Sequence, residues 1–276
     1  MADITKTISY LQQKQIIHVT GHRKNQRTGL SIPIYSLRSG YTTDNDIDRL
    51  DMDGLLAGIV SERVVEYRFL ARNLLPSRIN MKILDVGSER SAVTNALSKF
   101  GNSKNWEVFG IDIVQGLPQI FKDKEMSRFV LFRMDARLMG FRDEVFDKIV
   151  CISTVEHIGI HPGHHIIGEH DPPGDVKAFS EIFRTLKKGG RVVLTVPYAD
   201  KDIPGYHKTY RIYNSSMLAR LITGFRVKKE EYYIYIKGKW KSCSRTDIAN
   251  KLRTADTEIP LYLHSRVCLC LLLEKK

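Results

Sequence analysis

The sequence predicts an α/β fold, doubly wound around a mostly parallel sheet with helices on both faces. Two observations carry this expectation. Between Lys82 and Val196, short β-like apolar runs alternate with segments of helical periodicity, the signature of βαβ units. After Pro197 come two long β-like segments, which favour an antiparallel pair at one edge of the sheet. The chain has 276 residues, 42% hydrophobic and 27% charged, so it can bury a full core without disulfide or metal staples.

Each element has a local cause. Leu56, Ile59, Val60, Val64, Tyr67, Leu70, Ala71 and Leu74 recur at helical spacing, and Pro76 closes that helix. A strand over 82–86 enters a turn at Gly87, and a helix over about 91–100 ends at Gly101. The alternation continues with a strand at 107–113, a helix near 117–124 and a strand at 129–134. A strand at 146–153, a helix at 176–186 and a strand at 191–196 complete the parallel part. Asn214 is a good N-cap for a helix over about 215–222, and the β-like runs are 225–237 and 265–273. Residues 1–54 are weakly patterned and read as an N-terminal extension to a domain over 55–276. Their acidic cluster, Asp44 to Asp53, is no EF-hand: counted from Asp44, position six is Arg49 and position twelve Leu55, where Gly and Glu are needed.

The net charge of +12 is uneven. Residues 81–200 are neutral, whereas residues 201–276 carry 16 Lys/Arg against 7 Asp/Glu. A basic segment beside a neutral core favours an anionic partner, or else only a solvated face. The four cysteines form no CxxC pair, and Cys151, Cys268 and Cys270 lie in apolar runs, so they read as structural thiols. No apolar run is long enough to span a membrane and the N-terminus lacks a continuous apolar signal core, so the expected location is cytoplasmic.

In an open α/β sheet, ligands bind beyond the carboxyl ends of the strands. The first strand ends in Asp85-Val86-Gly87-Ser88-Glu89-Arg90-Ser91, where Gly87 permits a turn and Ser91 can cap the next helix. The second ends in Asp112-Ile113, a carboxylate placed to accept hydrogen bonds from a ribose diol. The third ends in Asp135-Ala136, where an acid can meet an adenine edge or amine. The fourth ends in Ser153-Thr154-Val155-Glu156-His157.

These strand ends resemble the class I S-adenosylmethionine-dependent methyltransferases. "ILDVGS" is similar to their first motif, "VFGIDI" to the ribose-binding acid and "RMDA" to the adenine-flanking motif. "FDKIVCISTVEHIG" resembles their fourth strand and "LKKGGRVVLTVPYA" their fifth. More narrowly, "GDVKAFSEIFRTLKKGG", "YRIYNSSMLARLITGF" and "EEYYIYIKGKW" resemble type 11-like enzymes acting on surface polysaccharides or small molecules. The resemblance implies a Rossmann-like sheet of seven strands ending in an antiparallel C-terminal edge hairpin. It implies a cofactor half at about 80–160, and an acceptor side with the basic part at about 160–276. The cofactor would be S-adenosyl-L-methionine, bound through Asp85, Gly87, Ser88, Glu89, Asp112, Ile113, Asp135, Ala136 and Thr154. The helix with Glu62, Arg63, Glu66 and Tyr67 would cover the site. One departure is that Glu89 and Ser91 replace glycines of the family's richer loop; Glu89 either faces the cofactor's positive charge or points to solvent.

On the acceptor side, His157 or Glu156 is a candidate general base, since a base of near-neutral pKa suits a hydroxyl acceptor. Tyr198 and His207 are candidate substrate contacts. His157, His161, His164, His165 and His170 crowd one loop, but without thiolates or closed ligand spacing no metal is expected. "DPPG" at 171–174 lacks the aromatic of the DPPY motif that stacks a flipped base. Tyr232, Tyr233, Tyr235 and Trp240 among lysines either stack bases or simply fill strands. The expected reaction is methyl transfer to an oxygen of a glycan or small molecule. An RNA or other nucleic-acid methyltransferase and a non-catalytic binding module are the alternatives. A nicotinamide dehydrogenase is disfavoured because "DVGSERS" lacks GxGxxG.

Overall fold

The computed structural model describes residues 17–24, 31–37, 62–74, 79–88, 93–101, 104–113, 129–160, 170–199, 210–236, 239–253 and 265–276. In chain order the elements are strands β1 (Ile17–Lys24) and β2 (Ser31–Leu37), then helix α1 (Arg63–Leu74). Next come β3 (Lys82–Val86), α2 (Val93–Gly101), β4 (Glu107–Asp112), β5 (Phe129–Arg133) and β6 (Phe146–Ile152). They are followed by α3 (Gly174–Thr185), β7 (Leu186–Pro197), α4 (Ser215–Leu221) and β8 (Phe225–Ile236). The chain closes with β9 (Lys239–Cys243), α5 (Ile248–Arg253) and β10 (Val267–Lys275).

Strands β3 to β10 form one eight-stranded sheet in the order β5-β4-β3-β6-β7-β10-β8-β9. The first five are parallel, and β10, β8 and β9 add antiparallel. Successive residues of each strand point to opposite faces, and the core divides accordingly. Ile83, Val150, Val193, Cys270 and Leu272 pack with Val65, Phe69 and Leu74 of α1. Leu84, Ile149, Leu194, Leu269 and Leu271 pack on the other face with Phe179 and Ile182 of α3 and Leu218 of α4. Both faces are therefore sealed by helices, as the near-continuous apolar strands require.

The strand count is a correction: eight, not seven. The added strand is β9; β8 and β10 form the expected antiparallel pair on that side of the sheet, with β10 next to β7. Trp240 on β9 pairs with Tyr235 across the ladder with ring centroids 5.6 Å apart, an aromatic cross-strand contact of the stabilising kind. The β7 strand also starts earlier than the periodicity implies, because the chain leaves α3 at Leu186 in an extended conformation (φ −77, ψ 135). Asn214 caps α4 as expected, its side chain accepting from the Met217 amide at 2.9 Å. Within the weakly patterned N-terminal stretch, β1 and β2 pair antiparallel as a separate two-stranded sheet. Residues 55–61, the segment 117–124 and the Asp44–Asp53 cluster lie outside the described residues.

Leu269 is fully buried on β10, the strand that joins the parallel and antiparallel parts. Leu269→Ala is expected to cost about 2–5 kcal/mol. Urea unfolding should show a lowered midpoint at an unchanged slope.

Candidate active site

The strand order reverses between β3 and β6. From β3 the chain winds outward through β4 to β5, then returns to the far side of β3 and winds through β6 to β7. A crevice opens at such a switch point beyond the carboxyl ends of the strands. Here the two flanking loops touch. Gly87 has φ +87, and a Cβ on it would sit 2.2 Å from Thr154 Oγ1. Only glycine fits, for both its backbone and its neighbour. Thr154 Oγ1 donates to the Ile152 carbonyl at 3.0 Å. The Gly87 and Ser88 amides donate to the Ile111 carbonyl at 2.9 and 3.1 Å, which folds this turn over the end of β4. Ser88 is buried against Gly110, where a Cβ would lie 2.8 Å from the serine side chain.

Asp85 is 1% exposed and accepts the Thr94 hydroxyl of α2 at 2.6 Å, so it braces the turn from beneath. Asp112 and Ile113 are half-buried at the end of β4, and the Asp112 carbonyl accepts from the Met134 amide at 2.8 Å. Asp135 and Ala136 follow β5, also half-buried. Both Asp135 oxygens are engaged by Arg137: Nη2 donates to Oδ2 at 2.7 Å, Nε lies 3.1 and 3.0 Å from Oδ1 and Oδ2, and the backbone amide reaches Oδ1 at 2.8 Å. Arg137 Nη1 also donates to Asp171 at 3.2 Å. Burial tends to raise the Asp135 pKa, but the Arg137 hydrogen bonds and charge outweigh it and hold the carboxyl below its usual range.

After β6 the chain passes through Ser153, whose φ of 44 is left-handed, into a short 3-10 turn at Val155–His157. Glu156 has no exposed surface, and its carbonyl accepts from the Arg211 amide at 2.9 Å. His157 is half-buried, its ring edge-on to Tyr210 at 6.2 Å. Arg211, 1% exposed, donates to the Ile158 carbonyl at 2.5 Å and the Pro172 carbonyl at 2.7 Å, and its Nε lies 3.5 Å from Asp175. It thereby ties both ends of the histidine-bearing loop to one buried cation. Tyr198 is 1% exposed and its hydroxyl meets Ser215 at 3.0 Å, so it is spent on packing. Glu89, Ser91, His161, His164, His165 and His207 lie outside the described residues.

Glu66, expected only as part of a covering helix, is a carboxylate held by side chains from three separate elements. It is fully buried, and its Oε1 accepts from Ser153 at 2.5 Å and Thr195 at 2.6 Å. Its Oε2 accepts from Arg63 Nη1 at 2.9 Å. Arg63 lies 3.4 Å from the Ile152 carbonyl as well, which fixes the first turn of α1 above the ends of β6 and β7. Burial opposes the Arg63 charge, yet Glu66, Tyr67, Glu62 and Glu156 together raise its pKa. Burial also raises Tyr67; Arg63 opposes this, and Glu66, Asp85 and Glu62 add to it. Around the first turn of α1 the edge is thus a partly dry surface in which Glu62, Glu66 and Glu156 act on the Arg63 guanidinium, a carboxylate-rich setting that fits a cofactor carrying sulfonium and ammonium charges. A signal for Glu66 exists in the sequence: with Phe69, Leu70 and Asn73 it occupies the helical stripe that should be apolar.

Two outcomes test this geometry. A low Asp135 pKa stabilises the fold above the unfolded value of about 4, and that contribution is lost as pH falls through the folded value beneath it. Arg137→Ala should return Asp135 to the ordinary carboxylate range, read by carboxyl-carbon NMR titration; an unmoved titration would refute the pairing. Glu66→Ala strands two buried hydroxyls and Arg63, and with Arg63 partly exposed the expected loss is about 2–3 kcal/mol by chemical denaturation.

The methyltransferase-domain family model matches residues 84–194, from inside β3 to inside β7. Among solved structures, the N-methyltransferase NodS from Bradyrhizobium japonicum WM9, in complex with S-adenosyl-L-homocysteine, shares the fold. It has a TM-score of 0.53 at 12% identity, covering 84% of this chain and 97% of that one. A proposed methyltransferase from Bacillus halodurans C-125 gives 0.50 at 16% identity, covering 76% and 97%. No curated protein matches by sequence. No described helix is long and apolar enough to cross a membrane. The matched segment is the one that builds the switch-point crevice, and the chain is an enzyme carrying a class I S-adenosylmethionine-dependent methyltransferase domain.

Proposed function

We propose that the enzyme transfers a methyl group from S-adenosyl-L-methionine to a hydroxyl oxygen of a glycan or small-molecule acceptor, with His157 as the proton acceptor. The observation that carries the placement is the meeting of Gly87 and Thr154 at the switch point, with Asp112 one strand away. In this reading Asp112 holds the ribose hydroxyls. The Asp85–Glu89 turn, with Gly87 and Ser88, faces the methionine part, and Thr154 backs it. Ile113 and Ala136 flank the adenine, with Asp135 closing that side as an ion pair with Arg137 rather than as a bare acid. When bound, the cofactor supplies an activated methyl with its own leaving group, so the chain's task is positioning and removal of one proton.

Of the two acceptor-side candidates, His157 is the group able to touch a substrate, because Glu156 has no exposed surface. Glu156 acts as a positioning residue in the same turn, beside the Arg63 charge. A hydroxyl acceptor needs a base near neutral pKa, and imidazole supplies one. An anionic acceptor would also suit the basic C-terminal quarter.

Calorimetric titration with S-adenosylmethionine and S-adenosylhomocysteine should show saturable binding, weakened about 10-fold or more by Asp112→Ala, the loss of two charge-assisted hydrogen bonds. His157→Ala should lower kcat about 100-fold on a hydroxyl acceptor while leaving cofactor affinity intact. Failure of folded protein to bind either ligand would overturn the reading.

A further inference from the structure

The opposite end of the sheet carries the reverse charge. Lys148 on β6 pairs in register with Arg191 on β7, Arg191 with Glu274 on β10, and Glu274 with Arg226 on β8. Directly paired residues share a face, so these four side chains form a row across four strands on the α1 face. Lys229 joins the row, donating to Asn73 Oδ1 at 3.3 Å. Glu274 serves three cations at once: Arg191 at 3.2 Å, Lys228 at 3.7 Å and Arg226 at 4.0 Å. The Arg191 and Arg226 side chains are 44% and 63% exposed. The positive potential is felt by its neighbours: burial, then Arg191 and Lys104, lowers the Lys148 pKa to about 8.

This concentration has a structural use only in part. Lys148 lies 3.3 Å from the Leu74 carbonyl and so caps the negative end of α1. Arg226, Lys228 and Arg191 do no such work; they crowd one carboxylate at the surface. Cations on β6, β7 and β8, about 5 to 10 Å apart across the strands, match a chain of spaced anions better than a single ligand. We propose that this rim is a docking surface for the phosphate backbone of a single-stranded nucleic acid. A membrane surface suits it less. Stable membrane attachment needs an apolar or lipid contribution beside a basic patch, and the exposed apolar residue of β8, Val227, alternates to the other face. The rim lies about 13 Å below the switch point, since Lys148 and Ile152, the last residue of β6, are four residues apart on an extended strand. It is therefore a tether remote from methyl transfer, and it stands whatever the acceptor proves to be.

The test is fluorescence anisotropy of a labelled oligouridylate of about 20 nucleotides against the full chain across a salt series. Removing three phosphate contacts with Arg226→Gln, Lys228→Gln and Lys229→Gln together should weaken binding about 10-fold or more at low salt. It should also flatten the log K against log salt slope by about 2. Glu274→Gln, which releases the cations, should tighten binding. Unchanged S-adenosylhomocysteine binding in each variant shows that the fold and the cofactor edge are intact, and separates this proposal from that of the reaction. Undiminished oligonucleotide binding in the triple variant would overturn the rim. Weaker binding in Glu274→Gln, or binding to phosphatidylserine vesicles with none to the oligonucleotide, would also overturn it.

Discussion

The buried carboxylate of Glu66 is the constraint on which the geometry of the transfer edge rests. A charge without solvent is tolerable only when donors surround it, and here Ser153, Thr195 and Arg63 do so from β6, β7 and α1. One ion therefore welds a helix to the ends of two strands. The weld also explains Ser153. A left-handed serine costs on the order of 1–2 kcal/mol. Its hydroxyl bond to Glu66 and its amide bond to Thr195 Oγ1 at 3.1 Å offset that cost. The left-handed step turns the chain out of β6, so Thr154 meets Gly87 and Glu156 and His157 are presented on the next turn. The Gly87–Thr154 contact and the turn that carries Glu156 and His157 are thus placed by the same carboxylate.

Much of this was legible in the sequence because strand and helix periodicity are local. The residues at the ends of β3, β4, β5 and β6 were identifiable from the apolar runs that precede them, and Asn214 announced its helix by residue type alone. What escaped depended on distant partners. Glu66 looked like a polar residue on a covering helix until Ser153 and Thr195, 87 and 129 residues away, closed on it. Arg211 gave no local signal at all, since its partners are carbonyls at 158 and 172. Asp135 lies just past the end of β5, as the apolar run implies, but its pairing to Arg137 changes what it can do. The β9 strand was hidden because edge strands carry lysine, which keeps them from pairing with other chains and masks their alternation.

Helix α1 joins the two electrostatic halves of the molecule. Its first turn brings Arg63 and Glu66 to the acidic edge, and its last carbonyls meet Lys148 at the basic rim. At 12 residues it spans about 18 Å, close to the depth of the sheet beneath it. Its dipole opposes neither end: the positive N-terminus stands near buried carboxylates, and the negative C-terminus near cations. The sheet itself contributes little net field, so the separation of charge comes from side chains at the strand ends, sorted by the helix that crosses them. A cationic cofactor and a polyanion would be drawn to opposite ends of the same sheet, and neither would compete with the other for its site.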